Sequence, residues 1–186
     1  MESVGFKEWA IVCEALGRGE QCVLLRKGGL AEGRKGFAFQ HSRFFLFPTF
    51  FHEQVEKTRW MESEIPLQKT GQVEIKFLAR LELAAMVTSL EMAEALKPFH
   101  ILKPEVVRER FEYDSPGIHV AFVRVFRIST PWVIPELPAY GGCRSWVKLT
   151  NVPEGLKFAS VLSDDEHRER VTSIEALISS PFSLSN

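Results

Sequence analysis

The chain has 186 residues, a formal net charge of -1, 45% hydrophobic residues and 25% charged residues. That length can bury a core without disulfides or metal staples, and the balance is ordinary for a globular domain. A near-neutral chain is no general polyanion binder, so a nucleic-acid site would have to be a local basic patch.

Fifteen Phe stand against two Tyr, and five of the Phe fall between Phe44 and Phe51. The three cysteines, Cys13, Cys22 and Cys143, have no close pairing. An odd count without a secretory pattern in MESVGFKEWA points to reduced thiols and a cytoplasmic location. A run of about 20 apolar residues is absent, so no membrane partner is expected. One domain over residues 1–186 is expected, with Pro98 to Pro104 as the candidate internal boundary.

Lys7 to Leu16 reads as a helix, because Trp9, Val12, Cys13 and Leu16 recur at three- and four-residue steps. Gly17 and Gly19 would end it, and Glu8 and Glu14 fall off its apolar face. Cys22 to Leu25 is apolar on both faces and suits a buried strand. Arg26, Lys27, Gly28 and Gly29 follow at once. A basic pair at a strand end with exposed backbone N–H groups suits an anion; the alternative is a hairpin loop with solvated charges. Gly28 and Gly33 have the spacing of a phosphate-binding loop, but Arg34 stands in place of its lysine and Lys35 in place of its hydroxyl residue. The stretch GFAFQ also makes a poor helix start. No cofactor motif is therefore assigned.

Phe37 to Gln40 and Arg43 to Phe47 read as aromatic strands. Pro48 would close the second, with Thr49 capping a helix from Phe50 to Met61. His41 and His52 flank this stretch and suit acid/base work, or structural hydrogen bonding. Their separation matches no compact metal motif, and no metal is assigned. From Val73 to Leu83 apolar and polar residues alternate, which means a long antiparallel strand with one wet face. Glu74-Ile75-Lys76 within it fits half of a restriction-type nuclease site. The other half needs an upstream Asp, and the first Asp is Asp114. Glu53, Glu62 or Glu64 would have to substitute.

Ser89 to Lys97 and Pro104 to Phe111 read as helices, the second with Val106, Val107, Arg110 and Phe111 on one stripe. Ile118 to Ile128 is apolar on both faces and reads as a central strand carrying Arg124, either ion-paired or aimed at a ligand. Pro131 to Pro138 reads as a loop, and Val147 to Leu149 as a strand. Between them lies Tyr140-Gly141-Gly142-Cys143-Arg144-Ser145-Trp146. Cys143 and Ser145 are candidate nucleophiles, Arg144 a cation and Trp146 a stacking surface; a tight turn with core residues is the alternative. Ser163 with Glu166 makes a capping box for a last helix to about Ile178, and residues 181–186 are expected to fray.

Two groups of segments, KEWAIVCEAL with LLRKGG and GFAFQHSRFFLFPTFFHEQ, then VRVFRI with YGGCRSWVKL, resemble the bacterial domain-of-unknown-function family numbered 1802. Some members are joined to restriction-endonuclease-like domains. The resemblance implies a place in restriction–modification or DNA defence, with DNA or RNA and a nuclease or methyltransferase as partners. It carries over no catalytic residues. The early strands also bear on diphosphate hydrolases, but their glutamate-rich helix is absent.

The expected fold is α+β: a mixed, largely antiparallel sheet with short helices packed on it. Three functions remain open. One is a nucleic-acid-associated module using Arg26, Lys27, Gly28, Gly29, Arg34, Lys35, Arg43, Arg124, Arg144 and Trp146. A second is an enzyme on a small anionic or nucleotide substrate, drawing on His41, His52, Cys143 and Ser145. A third is a protein-interaction module exposing the Phe44-to-Phe51 cluster.

Overall fold

Two long antiparallel strands form the spine of the molecule, β4 (Gln72–Val87) and β5 (Ile118–Pro135). The computed structural model describes residues 4–27, 37–64 and 66–178, with the side chain of Glu62 left out. Around the spine lie β1 (Val4–Trp9), β2 (Val23–Arg26), β3 (Arg43–Thr49), β6 (Trp146–Lys148) and β7 (Phe158–Ser160). The helices are α1 (Ala10–Gly17), α2 (Leu90–Ala95), α3 (Pro104–Glu112) and α4 (Asp164–Ile178). The fold is α+β, as the period-two strands and short helices imply.

The strand order is β2-β5-β4-β3-β1-β6, with β7 alongside β5. All neighbours are antiparallel except β1 and β3, which run parallel from Gly5↔Phe45 to Trp9↔Thr49. The sheet has apolar residues on both faces, as the both-sided strands require. One face, with Phe6, Phe44, Ala79, Val123 and Val125, packs under all four helices. The other, with Phe45, Phe47, Ile75, Leu78, Trp132 and Val147, is covered by loops and the turn at Pro138–Tyr140.

Five expectations need correction. Lys7 to Trp9 are strand, not helix: VGFKEW pairs with β3 on one side and β6 on the other, and tertiary pairing overrides the helical spacing. Only α1 remains helical, and it is buried almost all round. Pro48 and Thr49 continue β3, and Thr49 Oγ1 donates to the Glu8 carbonyl at 3.1 Å instead of capping a helix. The expected helix from Phe50 to Met61 shrinks to one 3-10 turn, His52–Gln54. Buried Gln54 accepts from the Ile11 N–H and donates to the Thr49 and Phe51 carbonyls, so this chain follows α1 rather than its own periodicity. Phe37 to Gln40 form no strand. The expected loop from Pro131 is strand as far as Pro135. The ladder to β4 breaks between Phe77↔Arg127 and Ile75↔Trp132, so Pro131 sits in the irregularity, where its missing N–H costs no bond.

Caps follow the sequence. Ser89 Oγ accepts from Met92 N–H at 3.3 Å. Ser163 and Glu166 form the reciprocal box, with Ser163 N–H donating to Glu166 Oε2 at 2.9 Å and Glu166 N–H to Ser163 Oγ at 3.3 Å.

Candidate functional site

The two ends of the strand path, β2 and β6, share no ladder, yet their side chains meet. Arg26 Nε donates to Ser145 Oγ at 3.0 Å. The sheet is therefore curled until its edges face each other, and side chains close the gap. An aromatic cluster fills it. Trp146 lies edge-on to Phe6, Phe44 and His41, with centroids 4.9, 5.2 and 4.7 Å away. Phe37 and Phe39 pack edge to face at 4.8 Å beside Phe6, and Phe37 also meets His119 at 5.3 Å. Residues 37–41 thus act as a plug between the sheet edges, and their aromatic character serves burial rather than strand pairing.

Charges gather around this plug. The Arg26 guanidinium stands over the Phe6 ring at 5.7 Å. Arg110, from α3, donates to the Leu25 carbonyl at 2.7 Å and lies over Trp9 at 4.4 Å. Burial lowers its pKa, the Glu8 carboxylate raises it and the Arg26 charge lowers it. Lys7 donates to the Gly142 carbonyl at 2.6 Å, and burial together with the Arg26 charge lowers its pKa. Glu8 is only 2% exposed and accepts from the Trp9 N–H at 2.8 Å. The Arg26 charge thus acts on both Lys7 and Arg110, and of the two only Arg110 has the Glu8 carboxylate as a counter-charge. Lys7, Glu8 and Arg110 were not among the sequence candidates. An arginine inside the apolar stripe of α3 was the available signal for Arg110. For Lys7 and Glu8, the helical reading of Lys7 to Leu16 hid the strand alternation and made Glu8 a surface residue.

The sequence candidates divide accordingly. Arg26, Ser145, Trp146 and His41 come together, and exposed Cys143 and Arg144 precede Ser145 in the chain. Ser145 is 1% exposed. The Trp146 indole N–H is buried without an acceptor among the described residues. Lys27 turns away and donates to the carbonyls of Phe111, Ser115 and Gly117, tying down the end of α3. Arg124 is held by Asp164 and Ser160 on the far side of β5. Arg43 is exposed at the start of β3, and His52 is exposed in the turn beyond it. Gly28, Gly29, Arg34 and Lys35 lie outside the described residues.

Two further sequence ideas meet their geometry here. Lys76 pairs with Glu14 at 2.6 Å and Glu74 at 3.8 Å, while Glu64 pairs with Arg18 at 3.4 Å, so the nuclease-like half is tied into ion pairs. Among the described residues no group of three or more His, Cys, Asp or Glu is placed to hold a metal ion. The phenylalanine cluster is mostly interior: Phe44, Phe45 and Phe47 are buried, Phe50 is half-buried and Phe51 alone is exposed. No described helix is long and apolar enough to cross a membrane.

The architecture is thus a curled mixed sheet with its edges joined by one arginine–serine contact and an aromatic plug. Residues 5–173 match the family described as a domain of unknown function, DUF1802, and the chain belongs to that family. No curated protein matches it. Among solved structures, the crystal structure of ASCH from Zymomonas mobilis is similar at 14% identity and a TM-score of 0.45, over 91% of this chain and 93% of that one. A serine-to-alanine mutant of the same protein is similar at 14% identity and a TM-score of 0.43, over 91% and 94%. At that distance no site residue is carried from those chains to this one.

Proposed function

We propose that this is a nucleic-acid-binding module that takes a single strand at the mouth between β2 and β6. The observation that carries the reading is the Arg26–Ser145 contact, which brings the basic end of β2 and the GCRSW segment to one place. Arg26 acts electrostatically on both Lys7 and Arg110, and Arg144 adds a further exposed cation. Like charges held near one another repel. A phosphate among them converts that repulsion into attraction. Beside the cations, His41 and Trp146 supply aromatic rings, and the buried Trp146 indole N–H, without an acceptor among the described residues, is a donor that a base carbonyl or phosphate oxygen entering the mouth can meet. Cation plus aromatic is the combination that holds single strands with little sequence preference. A duplex keeps its bases stacked inside and offers them no ring contact.

The test is binding of fluorescent single- and double-stranded DNA and RNA across a salt series, with a Lys7→Gln/Arg144→Gln variant alongside. Single strands should bind, and the slope of log K against log salt should fall by about 1.4 in the variant, about 0.7 for each lost phosphate contact. Absence of binding at low salt, or equal slopes, would overturn the reading.

A further inference from the structure

A cavity of about 320 Å³ opens between α2, the 3-10 turn Lys97–Phe99 and the start of α3. That volume lies at the lower end of the range for small-molecule sites. Pro104 takes the first position of α3, where its missing N–H costs no bond. Val107 and Arg108 follow one turn later on the same side of the helix. Val107 and the buried Leu102 make an apolar wall with Pro104. Lys97 and Arg108 stand exposed at the rim. Glu94 pairs with Arg108 at 2.8 Å, and Lys97 has no ion pair among the described residues, so the rim keeps an excess of positive charge.

His100 lines the same cavity and is 1% exposed. Its Nδ1 accepts from the Leu102 N–H at 3.1 Å, which leaves the ring proton on Nε2. Nε2 is buried without an acceptor among the described residues. An unmet buried donor is unfavourable until an acceptor reaches it. The backbone beside the ring is anchored. Arg59 donates to the Lys97 carbonyl at 2.9 Å and to the His100 carbonyl, and its N–H donates to the Ile101 carbonyl at 2.8 Å.

We infer that this cavity binds a small organic acid that carries a carbonyl group between an apolar body and its carboxylate. The body packs on Leu102, Pro104 and Val107, the carbonyl accepts from His100 Nε2–H, and Lys97 and Arg108 hold the carboxylate. The site stands apart from the mouth between β2 and β6 and does not rest on single-strand binding.

The experiment titrates the full chain with 4-oxo-4-phenylbutanoate and follows the ring nitrogens of its five histidines in a long-range 1H–15N spectrum. The His100 ring signals should shift and saturate while those of the other four stay in place. Two comparison compounds separate the contacts. 4-Phenylbutanoate lacks the ketone and should bind about tenfold more weakly, because the buried donor stays unmet. 1-Phenylbutan-1-one lacks the carboxylate and should bind roughly fivefold more weakly, as contacts to exposed cations are modest. The Lys97→Gln/Arg108→Gln chain should lose the same roughly fivefold for the acid and nothing for the ketone alone. Both changes lie on the surface, and an unchanged Tm checks that the variant is folded. A His100 ring that stays unshifted up to about 10 mM acid would overturn the site. Equal binding of all three compounds would overturn the polar contacts, and full-strength acid binding by the variant would overturn the role of the rim.

Discussion

His100 shows how a single buried ring couples the fold to pH. Its Nδ1 accepts from the Leu102 N–H at 3.1 Å, so the neutral ring carries its proton on Nε2, which is buried without a partner among the described residues. Burial, reinforced by the nearby charges of Arg59 and Arg110, lowers its pKa to about 4. In the unfolded chain the ring titrates near the ordinary value of about 6.5. Between those values the unfolded state binds the extra proton, so stability rises with pH across the window and is lost as pH falls from about 6.5 to about 4. The loss is on the order of 3 kcal/mol. Urea titrations at several pH values should show this slope, and a His100→Gln chain should show a flatter one; equal slopes would contradict the assignment. Residue by residue, chemistry was legible where the sequence broke its own pattern. Arg124 in a strand apolar on both faces was such a break and was read as one, whereas Arg110 in the stripe of α3 was an equal break that was passed over. Glu8 was not legible, because its burial comes from β1 pairing on both sides.

At the scale of elements, helix ends and paired faces were readable from local chemistry. The caps at Ser89 and Ser163 and the alternation of β4 are the examples. Misreadings came where a distant partner decided. Residues 50–61 lack a helix because Gln54 is committed to the start of α1. Gly17, read as a stop signal, is the last residue of α1, and its missing side chain lets Phe77 of β4 pack directly on it. A Cβ at that position would overlap the Phe77 ring. Gly17→Ala should therefore destabilise by about 1–3 kcal/mol through overpacking, despite the better helix propensity of alanine. A thermal melt of the variant measures this. An unchanged or raised Tm would show that the ring moves aside freely.

At the scale of the whole molecule, closure of the sheet is what makes the site. The segments LLRKGG and GCRSW are 119 residues apart at the Arg26–Ser145 contact. Each is recognisable alone, but their meeting depends on the strand order and the curl. Neither the parallel β1–β3 pair nor the aromatic plug can be read from period-two patterns, because those patterns report faces and not neighbours.

The most direct test of the mouth is the indole region of a 15N-labelled spectrum, recorded while a single-stranded oligonucleotide is added. The chain has four tryptophans. Trp60 donates to Glu20, and Trp132 is buried in the core on the opposite face. The account predicts that the Trp146 indole N–H shifts progressively as the strand binds, while those of Trp60 and Trp132 stay in place. Binding that moves Trp60 or Trp132 and leaves Trp146 unmoved would contradict it.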